Sequence, residues 1–508
     1  MLTIATGLSL GAIFISLGII IVTANWFLEG NFNYKFQQLK SCKLLWVFLA
    51  FYLMHVLAML WSDDIEFGCK DLKIKLPLLG LPIVFASTPK LKKNEFETLM
   101  KFYLAGIISA SLWSMAFYMG WKETDLNDIR GISRFFSHIR FSLNIVFGIF
   151  ISAWFLVGQN KIIEKLIFIL SGIWLIIFLF ILSSLTGIIL LIMISIIFTF
   201  YFTFKQKNRN KKILFSISIL IITLLPSIYL YEVYNNFFPE TEHKNSKLEK
   251  LTPSGDLYFH DKDLSRENGY FVWRNICYPE LEKSWNKKSK MDFEGLDKKG
   301  NSLKFTIIRY ITSLGLKKDS LGFSKLKLDD IANIESGIPN FKLANASSLD
   351  KRIYEMLWEV NDFFENGHLK NHSLMVRAIY WKTAIDIIKS SPIFGAGTGD
   401  IQKEFEKRYS QGNVLEKKED MRRSHNQYLE IWASLGIFGL ILLVIISTNT
   451  IFNWKKYHPL SLPISLILVL SMLTEDTLET QAGVSMYALF IKMLIFSVPQ
   501  ESSTETNY

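Results

Sequence analysis

Cysteine is scarce in this chain, and what is missing narrows the chemistry. Only Cys42, Cys69 and Cys277 occur, and none stands at metal-ligand spacing from another or from a histidine. A Cys/His metal centre is therefore not expected. Cys69 and Cys277 can both lie outside a membrane and pair, although unpaired thiols are the simpler reading. No G-x-x-x-x-G-K-[ST] loop is present, so nothing points to ATP hydrolysis. No DxD-like pair stands beside an apolar run with partner ligands. The Gly395-Ala396-Gly397-Thr398-Gly399 run follows a helical pattern and not a strand, so it is a poor dinucleotide fingerprint. The spans show no internal repeat and no matching pair of broken midplane helices, which speaks against a transporter or lipid flippase. No cytoplasmic output module is evident, which speaks against a receptor. The apolar start, Met1 to Trp26, lacks a basic leader and reads as a first span, with no cleavable signal peptide.

Apolar and aromatic residues are abundant. Half of the 508 residues are hydrophobic, 14% are aromatic and only 20% are charged, and the mean hydropathy is +0.25. Several apolar runs reach the roughly 20 residues that a bilayer-crossing helix needs. Spans are expected near 3–25, 43–61, 73–88, 98–120, 139–157, 163–182, 184–204, 212–231, 427–448, 460–474 and 483–498, about eleven in all. The net charge of +10 and the pI of about 9.1 invite a nucleic-acid reading. That reading is rejected, because basic residues beside and between spans are ordinary topology signals.

Lysine and arginine also set the orientation. Lys35, Lys40 and Lys43, then Lys90, Lys92 and Lys93, then Lys161 and Lys165, then Lys205 to Lys212, then Lys455 and Lys456 fall in alternate loops. The positive-inside rule puts all five in the cytoplasm. The N-terminus then comes out external and the C-terminus internal. The domain plan is residues 1–231 as N-terminal membrane helices, 232–425 as a large outer loop domain with its reactive part at 373–425, 426–498 as C-terminal membrane helices, and 499–508 as a cytoplasmic tail. The long loop is too aromatic for a disordered linker. Helices are expected over Leu349–Phe364 and Ser373–Lys389, whereas residues 240–348 are lysine-rich and take no assignment.

Reactive side chains gather between Met375 and Gly439. An arginine-bearing helix with Arg377 and Trp381 runs into Pro392 and the glycine run, and Arg422, Arg423, His425, Asn426 and Tyr428 stand where a span begins. Arginine presents a fixed fork of donors that suits phosphate oxygens. Histidine titrates near neutrality and can take a proton from a hydroxyl. Glycine amides, at Gly397 among others, can approach an anion closely. The plainer readings are head-group contacts for Arg422 and Arg423, a structural histidine and a helix stop. A second group, Arg134 to Ser142, enters span five with His138 and Arg140. A charge at the lip of a membrane is a functional hypothesis, with snorkelling as its alternative. A third group is Glu475, Asp476, Glu479 and Gln481, which can orient an arginine or bind an acceptor, with a solvated loop as the simpler view.

Arg377 with Trp381, Pro392 with Gly395, Gly397 and Gly399, His425-Asn426 with Tyr428-Leu429, and Leu435-Gly436 with Gly439 occur in a fixed order. In that order they resemble the O-antigen ligase and polymerase superfamily of bacterial envelope enzymes. Ser137 to Ser142 and Thr474 to Asp476, with Glu479, Gln481 and Gly483, resemble its Bacteroidetes-type members. The resemblance implies an all-α polytopic membrane protein, GT-C-like, with one large extracytoplasmic loop domain, in the bacterial inner membrane with that loop in the periplasm. It implies an inverting glycosyltransferase that moves a glycan from undecaprenyl pyrophosphate to an acceptor hydroxyl without metal, nucleotide or other cofactor. The expected partners are the lipid-linked glycan, membrane lipid and an acceptor, with no nucleic acid. The acceptor is lipid A-core for a ligase, a growing chain for a polymerase, or a serine or threonine for a protein oligosaccharyltransferase. His425 matches the family's loop histidine, the general base. Arg377 matches the loop arginine that holds pyrophosphate, with Arg140, Arg422 and Arg423 as further donor contacts and His138, Trp381, Asn426, Tyr428, Gly397 and Glu475 in support. Many members carry Ser-Arg-x-Gly where this chain has Ser184-Leu185-Thr186-Gly187. An arginine expected at Leu185 is missing, so either Arg140 supplies that charge or the donor is held differently.

Overall fold

A computed structural model of the chain describes residues 7, 11–121, 129–135, 137–239, 241–243, 248–367, 374–412 and 421–492. Phe136, the spacer at 413–420 and the expected tail lie outside the described residues. The protein is an all-α polytopic membrane protein, with one two-stranded ribbon among the described residues, and it divides into two compact units.

The first unit comprises residues 1–198 and 377–508. Its helices in chain order are α1 (Ala12–Leu28), α2 (Phe32–Ser41), α3 (Lys43–Leu57), α4 (Ile65–Lys75), α5 (Pro77–Ser87), α6 (Lys93–Tyr118), α7 (His138–Gly158), α8 (Ile162–Ile181) and most of α9 (Leu185–Lys205). After the second unit come the greater part of α16 (Met375–Ser390), then α17 (Ile401–Gly412), α18 (Gln427–Phe452), α19 (Ser461–Ser471) and α20 (Gln481–Lys492). The second unit, residues 199–376, holds α10 (Arg209–Phe237), the strands β1 (Arg266–Glu267) and β2 (Tyr270–Phe271), and α11 (Tyr278–Lys288), α12 (Leu303–Ser313), α13 (Ser320–Ser324), α14 (Leu328–Glu335) and α15 (Ser348–Asn366).

Seven described helices are long and apolar enough to cross a membrane: Lys43–Trp61, α6, α7, α8, α9, α10 and α18. An eighth span would be α1 with α2, which turn through 114° at their break. Asn31 sits at that break in the left-handed region. Two expected spans are short helices instead: α5 and α19 have 11 residues each. At 1.5 Å per residue such helices reach roughly 17 Å, about half of a bilayer core. The expected span at 483–498 falls partly outside the described residues, which carry α20 as far as Lys492. α5 and α19 are buried over most of their surface, as helices apolar all round must be. Hydropathy alone cannot distinguish such a core helix from a span.

The hairpin at Ser183-Ser184 is as tight as expected: α8 ends at Ile181 and α9 starts at Leu185. Ser183 turns the chain with φ +51°, and both serines are buried. A Cβ at Gly187 would lie 2.6 Å from that of Ser142, so glycine is what lets α9 lie against α7.

In the second unit, residues 248–348 take an ordered fold. Trp285, Ile307, Ile308, Ile311, Phe323 and Ile334 form its core. Glu267, fully buried, accepts hydrogen bonds from Arg309, Asn340 and Tyr354, and so ties β1 to α12 and α15. The helices here run 5 to 11 residues. Pieces this short gain little from propensity and depend on packing, which is why periodicity did not reveal them. The two helices that were expected are present as α15 and α16.

Candidate active site

The site is assembled on the loop between α19 and α20, in the first unit. Its consecutive carboxylates, Glu475 and Asp476, each take one partner. Asp476 Oδ1 lies 3.0 Å from His425 Nδ1, and Glu475 Oε1 lies 3.2 Å from Arg377 Nη2. Four hydrogen bonds between the start of α18 and residues 469–478 hold this loop in place. Gln427 N donates to Met472 O, Asn426 Nδ2 to Leu473 O, Tyr428 Oη to Val469 O, and Leu478 N to Gln427 Oε1.

His425 is presented by its backbone. It adopts φ +48°, a left-handed conformation that costs a non-glycine residue roughly 1 kcal/mol or more. The next residue, Asn426, caps α18 by accepting from the amides of Tyr428 and Leu429. The Tyr380 ring stands 5.7 Å from the imidazole. With Nδ1–H donating to Asp476, the Nε2 lone pair is left to accept a proton. Burial alone would raise the Asp476 pKa, but the hydrogen bond and charge of His425, together with Arg423, hold it below the ordinary value. Glu475 is pushed up by burial, which Arg377 and His425 only partly offset.

Arg377 and Trp381 are one helical turn apart on α16 and share a face. Arg140 is in the first turn of α7, which Ser137 caps. It lines a small cleft, with Asn144 and Glu475 on the polar side and Ile15, Leu143 and Met486 among the apolar walls. Arg140 and Arg377 thus both face Glu475. His138 is half-buried at the start of α7, and Leu185 is half-buried at the start of α9.

Two sequence expectations change. Arg423 is not an open anion contact. Its guanidinium lies 3.0 Å from Glu430 and 2.9 Å from Glu479, and Lys75 reaches Asp71 at 2.5 Å and Glu479 at 2.7 Å. These ion pairs raise the Arg423 pKa although burial opposes it. The cluster sets three carboxylates against two cations, and burial pushes Asp71 up to about 6. Arg422, by contrast, is exposed, and its carbonyl accepts from Tyr409. Second, the glycine run does not offer its amides to an anion. Ala396 N and Gly397 N donate to Ala433 O and Ser434 O, and Gly399 N donates to Ser62 Oγ. Asp400 accepts from the amides of Asp63 and Asp64. The run docks α16 onto α18 and onto the turn after α3. The matching break in α18 is Gly436, φ +70°, where a Cβ would lie 1.9 Å from Ile393 O.

The one ligand atom that each of His425, Glu475 and Asp476 offers lies within 4.8 Å of the others, as do those of Asp256, Cys277 and Glu280 in the second unit. In the first group these atoms already serve protein partners, and in the second Glu280 accepts from the Thr252 hydroxyl. Sequence reasoning missed Tyr380, Lys75, Asp71 and Glu430. Lys75 left one signal, a charge at the edge of the apolar run that begins at Leu76.

Fold and site together define a polytopic helical membrane protein with an arginine–histidine–carboxylate centre. Residues 331–444 match the family model described as O-antigen ligase, which supports the resemblance to the O-antigen ligase and polymerase superfamily. A Haemophilus influenzae protein described as uncharacterized is 29% identical over 132 residues, 26% of this chain and 33% of the relative. The chain therefore spans about a third of the length of the curated relative it matches. The family match contains Arg377, the glycine run and His425, and it ends before their partners Glu475 and Asp476.

Proposed function

We propose that this protein transfers a glycan from a polyprenyl-pyrophosphate carrier to an acceptor hydroxyl, as an O-antigen ligase does, at the outer face of the bacterial inner membrane. The observation that carries the reading is the His425–Asp476 pair set beside Arg377 and Arg140. A cleft with apolar walls and an arginine suits a lipid that bears an anionic head.

In this mechanism the acceptor oxygen attacks the anomeric carbon and its proton passes to His425 Nε2. The bond from that carbon to the pyrophosphate oxygen breaks, and the carrier leaves as an anion. Direct attack inverts the anomeric centre. Arg377 and Arg140 bear the developing negative charge, an effect worth about 10²–10³-fold for one well-placed donor. General-base action by His425 contributes about 10²–10⁴-fold. Asp476 holds the imidazole in the tautomer that can accept. Glu475 neutralises Arg377 until the donor arrives.

Replacing His425 with Ala should abolish attachment of surface glycan to lipid A-core while the protein still accumulates in the membrane. Retained attachment would refute the assignment. Attachment that persists with shortened chains in cells lacking the gene would indicate a polymerase instead.

A further inference from the structure

The lobe of the second unit has an aromatic face that its own folding leaves unused. Phe259 and Phe305 are 45% and 46% exposed, and each lies against an aromatic ring, Tyr278 or Trp273, that packs on the core of the lobe. Trp273 and Tyr278 are half-buried beside them. Phe259 and Tyr278 lie 5.8 Å apart between ring centres, and Trp273 and Phe305 lie 5.3 Å apart. Lys304 Nζ stands 5.5 Å from the Tyr278 ring centre and precedes Phe305 in α12, so it joins the two pairs into one patch.

The polar handles of this patch distinguish it from ordinary exposed apolar surface. In the core, Trp285 Nε1 donates to Met291 O, and the hydroxyls of Tyr310 and Tyr354 donate to Asp330 and Glu267. The same lobe provides no such partner for the Trp273 indole N–H or the Tyr278 hydroxyl among the described residues. The rim carries both signs of charge: Asp261 is exposed, and Lys304 pairs with Glu294 at 2.8 Å. Asp261 and Glu294 both act electrostatically on Tyr278.

Flat aromatic faces with free donors and carboxylates around them match the chemistry of a pyranose. Its C–H face bears partial positive charge and stacks on the negative face of a ring, and its hydroxyls need both donors and acceptors. A lipid surface fits less well, because Asp261 and Glu294 would repel anionic head groups. We propose that Phe259, Trp273, Tyr278 and Phe305 form a binding platform for a glycan chain, separate in its residues from the Arg377–His425 centre. The identity of that chain as the transferred glycan rests on the function proposed above; the binding itself does not require transfer.

The test uses the full-length protein in nanodiscs and, as probe, the polysaccharide freed by mild acid from the surface glycan of the cells that carry this gene. Binding is read by titration calorimetry. Phe259→Ala and Phe305→Ala are the primary variants, because both side chains are exposed and the core should survive their loss. Each should weaken binding about two- to tenfold, and the pair together more. His425→Ala should bind like the parent protein whether or not transfer is lost, so failure of the platform and failure of the transfer reading separate. Circular dichroism checks that the lobe stays folded. Unchanged polysaccharide binding in the folded double variant would overturn the proposal. So would a parent protein that fails to bind the polysaccharide, or variants that lose affinity only for glycan-free vesicles or for a protein.

Discussion

Asp476→Asn is the most informative single change, because it keeps the side-chain shape and removes only the charge. In the native site the carboxylate accepts from His425 Nδ1 at 3.0 Å. That bond does two things: it aims the ring, and it keeps the proton on Nδ1 so that Nε2 can act as base. A hydrogen bond to a charged group contributes roughly 1.5–3 kcal/mol and a neutral one about 1. Weaker aiming alone would then cost up to about 2 kcal/mol, or roughly 30-fold in rate. An asparagine that turns its NH₂ toward Nδ1 does more, since it forces the proton onto Nε2 and removes the base. The loss then approaches the full general-base contribution, about 10²–10⁴-fold. The expected result is a fall in kcat of at least tenfold with KM for the lipid-linked donor nearly unchanged, because donor charge is met by Arg377 and Arg140. The assay is single-turnover glycan transfer in proteoliposomes, with protein level in the membrane as control. A variant whose kcat stays within twofold of the parent, at normal membrane level, would refute the role of Asp476 and weaken that of His425.

Arg377→Lys should raise donor KM by tenfold or more, because a point charge cannot reproduce the fork that a pyrophosphate and Glu475 both use; unchanged steady-state kinetics would count against it. Gly436→Ala should lower the melting temperature or abolish accumulation, because φ +70° strains alanine and its Cβ would strike Ile393 O; the left-handed backbone alone costs about 1–2 kcal/mol, and an unshifted melt in detergent would show that the α18 break is dispensable. Asp71, raised to about 6 in the folded protein, contributes stability that is full below its ordinary value of about 3.9 and is lost as pH rises through 6. Asp71→Asn should therefore gain melting temperature relative to the parent as the pH rises from 5 to 7; an equal pH dependence in both would exclude Asp71 as a contributor.

The membrane character of the chain could be read from the sequence, because hydrocarbon tolerates only long apolar helices and these leave plain runs of residues. The span count could not. α5 and α19 are as apolar as true spans, and their shortness comes from packing inside the first unit. The ordered lobe at 248–348 was also hidden, since its core joins Trp285, Ile307 and Phe323 from separate short pieces. Arg377 and His425 stood out as the ionisable residues of a motif, yet Asp476 seemed only one acid among several.

His425, Arg377 and the order of the glycines around them were determined by the sequence alone, because residue type and spacing are local properties that survive without coordinates. Which charges are open and which are consumed was decided only by the tertiary structure. Arg423 lies two residues from His425, but it is locked to Glu430 and Glu479, and the Gly397 amide is committed to Ser434 O. A buried charge or amide must find a partner, and here most of the partners come from distant parts of the chain.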